Sequence, residues 1–470
     1  MTPFWEWVAL RVPVYVHPNV LTLLGLLGAL CGAMLQLGHT PYLSEAAPSW
    51  VYVSAALLFF LQQTCDAVDG KHARRNGVSS PLGQLFDHGG DIMLTTPIAL
   101  ASMAFITAGT GLFPHIIAMA SSQLFQFIYV WWELHFHVFY AATGAVGVTE
   151  AQWGIIIMGL ISGFFGPWIW RYNILKLLPT SRVKDILSSI ASTLGTEVNG
   201  TLLVQLLLVA CNLWALVYNI VVGIRRARKR TLAASHVLCF LFYMFLQSTL
   251  WHFCLNGPPE TRLSPLLLYF TLTTSYSIFS LRLCLSATCR FAFRLFHWPL
   301  VPFFVASAAF IGFPWCQQHR HSIFLGVSAW NVLYLADFLH TSVSDVCNSL
   351  DISCFRVNVK KSSQQAGRQQ VLQEEEEAEE KGKQREHQRE PRPQRGSGHQ
   401  SRRQRLVCAD ATVEGEHMQM QTQQEEEVVE RVAARPRGTR PSKTKAMKGV
   451  DVNGENDVVS HYEAERRKGA

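Results

Sequence analysis

Charge is what this sequence has least of. Asp, Glu, Lys and Arg make up 16% of its 470 residues, hydrophobic residues make up 49%, and the apolar residues come in long blocks with no amphipathic period. That pattern excludes an ordinary water-soluble globule and predicts a polytopic membrane protein. The alternating ten-residue signature of a membrane barrel is also missing, which leaves helices, because lipid satisfies no backbone polar group. The expected fold class is therefore all-α. Eleven cysteines contain no CxxC pair and sit mostly in apolar segments, so they read as small buried hydrophobes rather than as metal or redox groups. The opening MTPFWEWVALRVPVYVHPNV lacks the basic n-region and small-residue cleavage site of a removed signal. Its Phe4, Trp5, Trp7 and Leu10 instead fit an interfacial helix within residues 1–17. No basic stripe interleaved with aromatics points to a nucleic-acid partner, and nothing marks a serine or cysteine nucleophile.

What is present is a series of ten apolar segments near the spanning length of about 20 residues. They are centred on 20–37, 48–65, 91–108, 112–132, 152–170, 199–223, 232–254, 263–285, 297–315 and 323–344. After about residue 355 the composition flips to Gln, Glu, Arg, Lys and Pro with few aromatics, so 356–470 is expected to be a disordered charged tail. With the N-terminus in the cytosol, that face carries Arg11, Lys71, Arg74, Arg75, the basic residues of 225–230, Arg282, Arg290 and Arg294. The other face carries half as many: Arg171, Lys176, Arg182, Lys184, Arg262 and Arg320. The bias predicts both termini in the cytosol.

Against this background the stretch CDAVDGKHARRNGVSSPLGQLFDHGGD, residues 65–91, places four aspartates where two apolar segments meet. Residues three and four apart share a helix face, so Asp66, Asp69, Gly70 and Ala73 form one stripe and Gly83, Asp87 and Asp91 another. Arg75-Asn76-Gly77 reads as a turn, with Ser80 as N-cap and Pro81 at the first helical position. A short connection makes the two helices antiparallel neighbours, so the carboxylates face one another across a hairpin. Four carboxylates so close must either hold protons or be neutralised by cations, and an all-oxygen set suits hard ions such as Mg²⁺, Mn²⁺ or Ca²⁺. Two such ions would clamp a pyrophosphate, and Lys71, Arg74 and Arg75 beside them suit an anionic substrate.

The run Asp66, Asp69-Gly70, Ala73-Arg74, Gly83, Asp87, Asp91 resembles the complete signature of the CDP-alcohol phosphotransferase family. The wording around it, with TPFWEW and PNVLTLLG, is similar to the eukaryotic choline/ethanolamine phosphotransferases over residues 1–355. The resemblance implies a catalytic membrane domain over 18–225 and additional transmembrane helices over 226–355. It implies transfer of phosphocholine or phosphoethanolamine from CDP-choline or CDP-ethanolamine to diacylglycerol, with release of CMP. It assigns Asp66, Asp69 and Asp87 to Mg²⁺ or Mn²⁺, two ions in all, with Asp91 near the second metal and also the candidate base. Gly70, Ala73, Arg74, Gly83 and Asn19 would shape the nucleotide pocket. It further implies membrane lipids as surroundings, a homodimer, and a cytosol-facing site in the endoplasmic reticulum or Golgi.

Some choices stay open at this level. A base must take the acceptor's proton, and His88, within the same turn as Asp91, is the alternative to it. Gln123, Gln126, Glu133 and His137 form a polar stripe on an apolar segment. They either bond between helices or line the active cavity, where Glu133 beside Trp131 and Trp132 would hold a substrate ammonium. His135 and His137 point to different faces and read as ordinary interfacial histidines. Competing functions are a relative using another acceptor, such as inositol or a glycerol phosphate, and a divalent-cation transporter. The transporter would need a second acidic constellation deep in the other spans, and the sequence has none.

Overall fold

The computed structural model describes residues 2–137, 142–143, 146–176, 182–193 and 197–356, so nearly all of the charged tail expected at 356–470 lies outside the described residues. Twelve helices carry the architecture: α1 (Thr2–Arg11), α2 (Pro18–His39), α3 (Ser49–Arg75), α4 (Pro81–Phe105), α5 (Ser121–Phe136), α6 (Val148–Phe165), α7 (Arg182–Thr193), α8 (Gly200–Arg226), α9 (Arg230–Trp251), α10 (Pro265–Thr288), α11 (Val301–Gly312) and α12 (Arg320–Leu350). A π-helical turn, His115–Ala120, leads into α5, and another, His252–Asn256, prolongs α9. Among the described residues the extended structure is a two-residue antiparallel pairing, Ala142↔Gly147 and Thr143↔Val146.

Each of the ten apolar segments falls on one of these helices. Among the described residues, five helices are long and apolar enough to cross a membrane: α2, α3, α6, α9 with its π-turn, and α12. Helix α4 carries two aspartates and α10 a run of Thr and Ser, so both are long but less apolar; α5 and α11 are short of the spanning length. The chain is an integral membrane protein, and the expected count of ten spans goes beyond these five.

Local chemistry fixes the helix ends near the aspartates. Pro18 and Pro81 open α2 and α4 where a missing N–H costs nothing. His17 Nδ1 accepts from Asn19 N at 3.2 Å and Ser80 Oγ accepts from Gly83 N at 3.2 Å. Burial, with His72 nearby, holds His17 below the ordinary imidazole range, which keeps it the neutral acceptor this cap requires. Helix α3 stops at Gly77, whose φ of +62° a side chain would resist. There Val78 N bonds Ala73 O and Gly77 N bonds Arg74 O, a Schellman ending that turns the chain straight into α4.

The helices run up and down, so their connections gather at two ends. At one end lie the starts of α2, α4, α6 and α9 and the finishes of α3, α5, α8 and α10, as the bonds Thr22–Asp69, Gln84–Glu133, Gln63–Thr149, Trp132–Asn219 and His135–His236 record. At the other end Tyr269 bonds Pro41, Trp251 bonds Thr110, and Thr201 bonds Ile106. Close approach of α2 to α3 depends on small residues: a Cβ on Gly25 would sit 3.0 Å from Cys65 Cβ. One core, around Ala33, Tyr52, Ala55 and Phe105, joins α2, α3 and α4. A larger one centres on the stacked Phe127 and Phe240, 4.1 Å apart, between α5 and α9.

Helix α1 packs on α3. Trp5 is buried against Val68 of α3, while Phe4, Trp7 and Leu10 remain exposed. Arg75 Nη1 bonds Ala9 O at 2.9 Å, and Lys71 stands 3.5 Å from Glu6. The first helix is thus fastened to α3, presenting three apolar side chains outward.

Candidate active site

The site is built where α3 ends and α4 begins. The stripes read from sequence meet as expected: Asp66, Asp87 and Asp91 line one small cavity of about 10 Å³, room for a single water-sized body. Asp66 and Asp87 side chains come within hydrogen-bonding reach of each other. Asp69 is buried and accepts a hydrogen bond from the Thr22 hydroxyl of α2. Gly83 is the residue capped by Ser80, and Asn19 Oδ1 lies 3.8 Å from where a Cβ on it would stand. The Arg74 guanidinium folds back over Gly70, 3.5 Å from the position of a Cβ there, within van der Waals contact. Ala73 is half-buried beneath the Schellman turn. Of the three basic residues expected beside the cluster, Lys71 and Arg75 are engaged by α1, which leaves Arg74 exposed at the rim.

Among the described residues no group of three or more His, Cys, Asp or Glu side chains stands in a coordinating array. The donor chemistry nevertheless fits a hard divalent ion. Every charged group lining the cavity is a carboxylate, and Asp87 Oδ1 is buried without a hydrogen-bond partner. A buried carboxylate oxygen left unpaired costs stability unless a cation or donor completes it.

Beside the cavity, Gln84 Nε2 donates to Glu133 Oε1 at 2.8 Å, and His88 Nδ1 lies 3.5 Å from Glu133 Oε2. His88 also comes within reach of Cys284 of α10. Asp91 lines the cavity, whereas His88 is turned toward Glu133. Glu133 therefore faces Gln84 and His88 of α4, while the two tryptophans read beside it in sequence turn elsewhere. Trp132 Nε1 bonds Asn219 O at 3.2 Å, and Trp131 is so close to α8 that a Cβ on Gly223 would meet its ring at 2.5 Å. The two rings pack on α8.

The far part of the same stripe behaves differently. Gln123 is buried, donates to Thr96 Oγ1 at 2.8 Å, accepts from Gln247, and receives the Tyr276 hydroxyl on its carbonyl at 3.2 Å. His135 pairs with His236 at 3.2 Å, and His137 ends α5 in the left-handed region. Sequence reasoning missed Thr22, Gln84, Gln62 and the segment after α12, where Cys354 O accepts from Asn19 Nδ2 at 3.0 Å and Phe355 meets Phe86 edge-on. Gln84 was findable, since it precedes His88 by four residues on one helix face.

Comparison with known proteins agrees with this geometry. Residues 15–178 match the family model described as CDP-alcohol phosphatidyltransferase. Cholinephosphotransferase 1 of Gallus gallus is 36% identical over 177 residues, 37% of this chain and 51% of that protein. The Homo sapiens protein of the same name is 36% identical over 185 residues, 37% of this chain and 44% of that one. The matched region thus spans about half the length of these curated relatives. An uncharacterized CDP-alcohol phosphatidyltransferase class-I family protein 3 of Dictyostelium discoideum is 26% identical over 380 residues, 76% of this chain and 92% of that protein. Asp66, Asp87 and Asp91 thus surround one cavity inside residues 15–178, the part of the chain that is similar to the CDP-alcohol phosphatidyltransferase family.

Proposed function

We propose that the protein transfers phosphocholine or phosphoethanolamine from CDP-choline or CDP-ethanolamine to diacylglycerol, releasing CMP and forming the corresponding phospholipid. The observation that carries this reading is the cavity shared by Asp66, Asp87 and Asp91 at the helix ends, with apolar Leu26 and Leu94 also in its lining. A water-borne nucleotide and a lipid alcohol can meet at such a place. The names of the curated relatives favour choline.

In the reaction the acceptor hydroxyl oxygen forms a bond to the phosphorus that carries the amino alcohol. The bond from that phosphorus to the bridging oxygen breaks, and its electron pair leaves with CMP. The hydroxyl proton passes to Asp91, which reaches the cavity, while Glu133 holds His88 beside it. Arg74 and Asn19 bind and orient the nucleotide, and Gly70 and Gly83 leave room for it. Divalent ions held by Asp66, Asp69 and Asp87, Mg²⁺ or Mn²⁺, would neutralise the pyrophosphate and the departing phosphate. We place the site at the cytosolic rim, on the side favoured by the basic residues.

The test is purified protein in detergent with diacylglycerol, offered CDP-choline or CDP-ethanolamine with Mg²⁺, Mn²⁺ or EDTA. Product and CMP in equal amounts, lost with EDTA, are expected. Tight divalent binding with no product from either nucleotide would move the reading to another acceptor or to cation transport.

A further inference from the structure

Resting on that reaction, we propose that Gln62 receives the lipid acceptor, its side-chain amide hydrogen-bonding the acceptor's polar end and setting the hydroxyl toward the phosphorus. Gln62 precedes Asp66 by four residues on α3, so it lies on the same face one turn, about 5.4 Å, farther from the rim. It is 4% exposed and lines the same cavity as Asp66, Asp87 and Asp91. Gln152 Nε2 of α6 donates to Gln62 Oε1 at 3.3 Å, and among the described residues Gln62 Nε2 has no partner. One polar end of the amide is tied to Gln152, and the side chain forms part of the cavity lining. An amide end without a protein partner is available to a ligand that enters the cavity.

The surroundings define that ligand. Toward the interior the wall is Gly25, Leu26 and Leu94, and toward the rim it is carboxylate. Thr22, the other neutral polar residue in the lining, gives its hydroxyl to Asp69. A soluble polyol phosphate would need several donors and a cationic partner on the inner side, and the lining offers neither. An alcohol carried on apolar chains presents one or two oxygens, which a single amide can meet. Gln62 is thus a positioning residue for a lipid-borne hydroxyl, and Gln152 holds it in place.

The experiment uses the full chain in mixed micelles and measures KM separately for CDP-choline and for diacylglycerol as a mole fraction. Gln62→Met keeps the length and removes the amide. Diacylglycerol KM is expected to rise about fivefold, the loss of one hydrogen bond, with CDP-choline KM within about twofold of the parent. Gln152→Met, which unties the amide, should move diacylglycerol KM in the same direction by less, and it carries the test if Gln62→Met does not fold. Diacylglycerol KM unchanged in a folded variant, or CDP-choline KM rising equally, would overturn the assignment. A parent chain that transfers from no CDP-alcohol would overturn the reaction reading instead, so the two failures are distinguishable.

Discussion

Gln123 and Glu133 stand on one helix, both buried, both polar, ten residues apart, and the structure gives them partners of different chemistry. Gln123 has its side chain engaged by Thr96 and Gln247, which locks α5 to α4 and α9. Glu133 is bonded on one oxygen by Gln84 and faces His88 with the other, one helix away from the aspartate cavity. What separates glue from site is the identity of the partner. An amide answered by neutral amides and hydroxyls has nothing left for a substrate, whereas a carboxylate opposed to an imidazole beside other carboxylates can tune proton transfer.

That contrast can be tested from its strong end to its weak one. The reference for a residue inside the site is Asp66→Ala or Asp87→Ala, expected to cut CMP release by about three orders of magnitude while the variant still elutes as a folded particle. Robust CMP release from either would remove the aspartates from the chemistry. Glu133→Gln keeps the shape and removes the charge facing His88; turnover should drop about 100-fold with little change in melting temperature. A variant that melts early and turns over normally would reclassify Glu133 as glue. Gln123→Leu should do the reverse, orphaning Thr96 and Gln247 at a cost of about 1–3 kcal/mol and lowering the melting temperature while kcat stays within about twofold. A folded Gln123→Leu protein with collapsed kcat would break the comparison. Least of all should change on deleting residues 357–470, which begin beyond the Cys354 and Phe355 contacts on Asn19 and Phe86. Activity within about twofold of the full chain is expected in a CMP-release assay, since charged segments of this composition bury little.

The sequence by itself determined the helical class, the hairpin between α3 and α4, and the stripes of Asp66, Asp69, Asp87 and Asp91. All of these follow from covalent spacing: apolar runs demand helices in lipid, and a helix repeats every 3.6 residues whatever it packs against. The same periodicity offered the whole polar stripe of α5 as one candidate and set Trp131 and Trp132 next to Glu133, because sequence shows which residues share or adjoin a face but not what that face meets. Only the tertiary structure decided that the tryptophans pack on α8, that Lys71 and Arg75 are taken by α1, and that Thr22 holds Asp69. It also decided that Gln62 looks into the cavity. Those pairings join residues up to hundreds of positions apart, as Asn19 and Cys354 are. They depend on the register and approach of whole helices, which shape complementarity sets and no local period encodes.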